Sequence, residues 1–188
     1  MDAAERRVVV DRWFRLYAGR VLPYLLHRTD PHTAQDVLQE VFVTAFIKFD
    51  RVPDPPIGWL FGTARRLLAN RYRGTRRHDA LIERLLDEVG SIEDEPQADQ
   101  YDLKLAFAQT MATLATGDRE VLTLTGWYGL TPTQAAEALG CSSSAYAVRL
   151  HRARKRLGVA LEEAGYHGDT PAGRFARALR GQHAGGGA

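Results

Sequence analysis

The chain of 188 residues has a single cysteine, Cys141, and no uninterrupted apolar run near the ~18 residues that a bilayer span needs. One cysteine cannot close an internal disulfide, and no transmembrane helix or membrane insertion is expected. The first residues, Asp2, Glu5, Arg6 and Arg7 ahead of only three valines, lack the form of a secretory signal, so the expected location is cytoplasmic. Gly-rich phosphate loops of the common patterns are missing, and so is His-Glu-x-x-His. The six histidines are scattered, with His27 and His32 off the spacing that puts two ligands on one helix face. Glu93-Asp94-Glu95 suits a solvated linker better than an acid/base pair, and Cys141 suits packing at a tight turn. No catalytic residue, no metal and no cofactor are therefore expected, and an enzyme is not supported.

Sustained two-residue alternation is also lacking, which argues against strands. What is present is 45% hydrophobic residues and 26% charged ones, enough to build real cores and to exclude a disordered or collagen-like chain. The net charge of +2 conceals an uneven distribution. Residues 1–80 hold 14 Lys/Arg against 9 Asp/Glu, residues 81–116 hold 2 against 8, and residues 117–188 hold 9 against 6. Two basic blocks flanking an acidic bridge suit a chain that meets polyanions at both ends.

Helical periodicity dominates. Trp13, Leu16, Tyr17, Arg20, Tyr24 and Leu25 fit one amphipathic stretch, with Pro23 inside it as a kink or a break. A second helix is expected from Thr33, as its N-cap, to about Phe49. The run Asp50-Arg51-Val52-Pro53-Asp54-Pro55-Pro56 admits no regular element, and a third helix is expected from Gly58 to Arg73. Residues 79–101 read as an acidic linker. Beyond it, Leu103, Phe107, Met111 and Leu114 share a helix, Arg119 to Trp127 form another, Thr131-Pro132 opens a third that Gly140 closes, and Ser142 to Leu157 form the last strong helix. The expected fold is all-α: two small helical domains, 1–78 and 102–165, with the linker between them and a partly disordered tail at 166–188.

Three of these helices carry a second face. On the second helix Asp36, Gln39, Glu40, Val43 and Ile47 lie opposite the core stripe, which fits a solvated surface or a docking face for a basic partner helix. On the third, Trp59, Thr63, Arg66, Asn70 and Arg73 form one row, with Arg65, Arg71, Arg76 and Arg77 nearby. That row is either a solvated basic face under a capping Trp or a surface that stacks unpaired bases and holds their backbone. Residues 133–142 followed by a basic helix have the grammar of a helix-turn-helix. Tyr146, Leu150, Ala153 and Leu157 would face inward, while Ser144, Arg149, His151, Arg152 and Lys155 would meet bases and phosphates.

These segments, in this order, resemble the extracytoplasmic-function (ECF) sigma factors, the small bacterial initiation subunits of RNA polymerase. Residues 36–42 (Asp-Val-Leu-Gln-Glu-Val-Phe) resemble the region 2 helix that grips core polymerase, and residues 59–71 resemble the helix that reads and opens the −10 element. Residues 114–115, 118–122 and 150–157 resemble region 4, which reads the −35 element. The resemblance covers residues 10 to 163. It implies that Asp36, Gln39, Glu40, Val43 and Ile47 bind core RNA polymerase. It further implies that Trp59, Thr63, Arg66, Asn70, Arg71 and Arg73 engage the −10 DNA, and that Ser144, Arg149, His151, Arg152 and Lys155 engage the −35 DNA. The proline loop would cradle a base flipped from the non-template strand, and the acidic linker would thread through the polymerase. Promoter DNA and core polymerase are the implied partners, with an anti-sigma factor that nothing in the sequence identifies. Ala147 and Val148 depart from the basic and polar residues common in the family, which shifts readout toward Ser144, His151, Arg152 or DNA shape. The alternative is a stand-alone helix-turn-helix regulator, which would leave both N-terminal rows without a use.

Overall fold

The computed structural model describes residues 2–72 and 107–166, and within these every regular element is helical. The linker 79–101, Leu103, Arg73, Arg76, Arg77 and the tail from residue 167 lie outside the described residues. The helices are α1 (Ala3–Leu26), α2 (Pro31–Ile47), a 3-10 turn (Phe49–Arg51) and α3 (Ile57–Arg71), followed by helical residues 107–113. Then come α4 (Thr116–Gly126), α5 (Pro132–Leu139) and α6 (Ser143–Glu163).

Asp2 starts α1 with a reciprocal cap, accepting from the Glu5 backbone N–H while the Glu5 carboxylate accepts from its own. Pro23 neither splits nor ends the helix. It sits in the last turn, and the carbonyl it leaves without a donor belongs to exposed Gly19, where water can serve it. The N-cap of α2 is Asp30 rather than Thr33. Pro31 takes the first helical position, where it has no N–H to lose, and Asp30 accepts from the Thr33 backbone N–H at 2.9 Å. That bond holds the Asp30 carboxyl down at a pKa of about 2.

The chain divides into two compact units, residues 1–80 with 124–146 and residues 81–123 with 147–188. In the first, Val21, Tyr24 and Leu25 of α1, Val37 and Val41 of α2, and Leu60, Phe61 and Ala64 of α3 are buried. Each larger side chain of this kind stabilises by roughly 1.5–3 kcal/mol on burial. The start of α1 also braces the turn after α2. Trp13 stacks on Phe49 with centroids 5.2 Å apart, and the Arg6 guanidinium donates to both Asp50 carboxylate oxygens at 3.2 and 3.0 Å. The proline loop follows, with a cis bond between Asp54 and Pro55. In the second unit, Met111, Leu114, Val121, Leu150, Leu157 and Leu161 are buried, and Arg156 donates to Asp118 at 2.7 Å.

Candidate functional site

On α2, Asp36, Gln39, Val43 and Ile47 are exposed and Glu40 is half-buried. Val43 at 56% and Ile47 at 70% exposure are large apolar side chains among carboxylates, which a purely solvated face does not require. Two side chains brace the acids. The Arg71 guanidinium donates to Glu40 at 2.9 Å and lies 3.9 Å from Asp36, while His32 Nδ1 lies 3.5 Å from Asp36.

The row on α3 is less uniform than its spacing suggests. Asn70 and Arg66 are exposed, and Trp59 is half-buried. Thr63 is only 3% exposed, and its hydroxyl accepts from Arg66 at 2.9 Å. A three-residue offset lays the Arg66 side chain over Thr63, so the two act as one group. Arg71 turns away from the row toward α2. One residue after Asn70, it lies about 100° further round the helix, on the side of Leu60 and Ala64.

The helix-turn-helix is built from strong local signals. Thr131 and Gln134 form a reciprocal cap on α5, Pro132 occupies its first turn, and Gly140 ends it in the left-handed conformation at φ 66°. The Gly140 and Cys141 N–H groups then donate to the Glu137 and Ala136 carbonyls. Half-buried Cys141 sits at this turn, and the Ser142 hydroxyl accepts from the Ala145 N–H at 3.2 Å. Tyr146, Leu150, Ala153 and Leu157 are buried. Ser144, Arg149, Arg152 and Lys155 are exposed and His151 is half-buried. Ala147 and Val148 are exposed between them. On α5, burial raises the pKa of Glu137 above its ordinary value.

Two groups went unread in the sequence. Tyr128 is buried against Tyr24 and Phe61 at 5.4 and 5.8 Å between centroids. Arg28 donates to its hydroxyl at 3.1 Å, and His27 Nδ1 lies at hydrogen-bond distance from the same oxygen, 2.8 Å. Gly58 and Gly62 lie where α3 meets α5. Only the aromatic pair Trp127-Tyr128 ahead of the Thr131 cap signals the first, since its partners Tyr24, His27, Arg28 and Phe61 are all far away in the chain.

An exposed acidic and apolar row, a Trp/Arg/Asn helix beside it and a capped helix-turn-helix are the parts of a promoter-recognition subunit. The models for sigma-70 region 2 and sigma-70 region 4 match residues 13–78 and 104–157. The RNA polymerase sigma factor CnrH of Cupriavidus metallidurans is 37% identical over 140 residues, 68% of this chain and 72% of that one. The ECF RNA polymerase sigma factor SigD of Mycobacterium bovis is 30% identical over 164 residues, 85% and 74% of the two chains. SigM of Bacillus subtilis is 29% identical over 154 residues, 80% and 93%. The chain belongs to the ECF RNA polymerase sigma factors, which direct the polymerase to promoters for initiation. Among solved structures, CnrH in complex with the cytosolic domain of CnrY matches with a TM-score of 0.56 at 26% identity, covering 86% of this chain and 95% of that one. The sigma factor RpoE of Bartonella quintana, in complex with the anti-sigma factor NepR, shares the fold at a TM-score of 0.51 and 21% identity, covering 81% and 96%.

Proposed function

We propose that the three faces divide the work of initiation. Asp36, Gln39, Glu40, Val43 and Ile47 dock on core RNA polymerase, the apolar pair supplying contact area and the carboxylates orientation. Trp59, Arg66, Asn70 and Arg73 engage the −10 element and help separate its strands. Thr63 serves by orienting Arg66, and Arg71 by holding Glu40. Ser144, Arg149, His151, Arg152 and Lys155 enter the −35 major groove and its phosphates. In this division residues 1–78 form the −10 and polymerase module, 79–101 the linker, 102–165 the −35 module and 166–188 a tail. The protein has no catalytic residues of its own and acts in the cytoplasm. An anti-sigma partner belongs to the reading, on the example of CnrH and its complex with CnrY.

The observation that carries the proposal is the exposure of Val43 and Ile47 among carboxylates on the helix adjoining the Trp59 row. Run-off transcription with purified core polymerase on the DNA upstream of its own gene, with co-elution on a sizing column, tests it. A specific transcript with co-elution is expected. A chain that binds DNA and ignores core polymerase would make this a stand-alone regulator.

A further inference from the structure

The outer side of α6 is not uniformly polar. Tyr146, Leu150, Ala153, Leu157 and Leu161 are buried, and at about 100° per residue they centre on one line along the helix. Val148 lies about 180° round from that line, and it is 49% exposed. An apolar side chain therefore occupies the middle of the outward face. Ser144 stands one turn before it, Arg152 one turn after it and Ala147 at its side, all three exposed. A lone exposed valine needs no explanation on an ordinary surface. This one holds the position that a groove-entering helix presents to the groove floor.

Side-chain length points the same way. The helix opens with Ser143, Ser144, Ala145, Tyr146, Ala147 and Val148, and of these only Tyr146, which is buried, is long. The exposed cations Arg149, Arg152 and Lys155 follow. Short side chains at the leading end let the backbone come close to base edges, while long ones further on reach the flanking phosphates. Val148 brings two methyl groups and no donor or acceptor. The major-groove edges of adenine, guanine and cytosine offer only donors and acceptors. A valine pressed on them would displace their water and return no hydrogen bond. Thymine alone adds an apolar group there, its C5-methyl.

We propose that Val148 is a specificity-determining residue that packs on the C5-methyl of one thymine in the −35 major groove, with the small Ala147 leaving room for that approach. The proposal rests on the reading of α6 as the −35 helix. Recognition at this base pair is by shape and exclusion of water. It carries no charge, so it is indifferent to salt, unlike a phosphate contact.

The test uses the full chain with core polymerase on a promoter selected for binding from a pool randomised at −35. Each thymine of the selected element, on either strand, is replaced in turn by deoxyuridine, which lacks only the methyl, and competition binding compares each duplex with its parent. The wild-type complex is expected to lose about fourfold at one thymine, the value of one buried methyl, and by the same factor at low and high salt. The Val148→Ala complex should bind the parent duplex about fourfold more weakly and lose nothing further on the deoxyuridine exchange, because both changes remove one contact. Alanine favours a helix more than valine does, and circular dichroism with unchanged affinity for core polymerase checks that the variant is folded. A selected element without an A·T pair, a wild-type complex indifferent to every deoxyuridine, or a Val148→Ala complex that keeps the full penalty would each overturn the assignment. If the chain ignores core polymerase, the sigma-factor reading fails instead. The same exchange in DNA that the chain binds by itself would then still decide whether Val148 reads a methyl.

Discussion

On α3, Arg66 is bonded to Thr63 of its own helix and Arg71 to Glu40 of α2, whereas on α6 Arg149, Arg152 and Lys155 stand exposed above a buried stripe of Tyr146, Leu150 and Leu157. The two helices have similar composition on their outer faces and use it differently. Arg66 and Arg71 of α3 are held by neighbours, so under the proposed division their contribution would be geometric and changes there would disturb more than one contact. Arg149, Arg152 and Lys155 of α6 are exposed long chains, so under the same division their contribution would be mostly charge, spread over the site and sensitive to salt.

The strongest way to break that contrast is Trp59→Ala combined with Asn70→Ala. Loss of a stacked base at about 1–3 kcal/mol should reduce promoter opening by roughly 10- to 100-fold. Binding to core polymerase should change little. Permanganate footprinting and filter binding separate the two, and an equal loss in both would contradict the assignment. Next in size, Ile47→Asp should weaken core polymerase binding by about tenfold, the scale of a modest interface anchor. Fluorescence titration with labelled chain measures it, with the opening of already assembled complexes as the control that should stay unchanged.

The α6 charges should act one at a time. Arg152→Ala or Lys155→Ala should lower the slope of log K against log salt by about 0.9 each, with a similar loss on every promoter sequence. A loss confined to one base position would show a base contact instead. Arg71→Ala sharpens the other side of the comparison. As a half-exposed ion pair with Glu40 it should cost only about 0–1 kcal/mol, and in core polymerase affinity rather than in opening. If the footprint moves while the affinity holds, Arg71 touches DNA directly. The smallest effect concerns the start of α2. The Asp30 carboxyl has its pKa lowered from 3.8 to about 2 in the folded chain, so its cap stabilises fully above pH 3.8 and is lost as pH falls through about 2. The stability gap between wild type and Asp30→Ala should therefore be constant at neutral pH and close across that interval, as thermal melts at a series of pH values would show.

Local chemistry made most of this legible. Thr131, Pro132 and Gly140 mark both ends of α5, and the 3.6-residue period assigns most of the buried sides of α2, α3 and α6, with Phe46, at 37% exposure, falling outside the buried side of α2. The start of α2 shifts by three residues because a proline after Asp30 reads equally as a break and as a first helical residue, and only the Thr33 N–H shows which. The turn of Arg71 toward Glu40 follows from 100° per residue and was available in the sequence. The burial of Thr63 and the seat of Tyr128 were not. Both depend on packing between residues far apart in the chain, which no local period records.

The brace between α1 and the turn after α2 bears on the proline loop that follows. With Phe49 clamped on Trp13 and Asp50 on Arg6, and with Pro53, Pro55 and Pro56 fixing their own φ angles, residues 49–56 have little conformational freedom left to lose. Ordering such a segment costs about 1–2 kcal/mol per residue in backbone entropy. Here that entropy is surrendered when the chain folds, before any DNA arrives. Any group that came to bind the loop would therefore keep as affinity what a floppy loop would spend on becoming ordered.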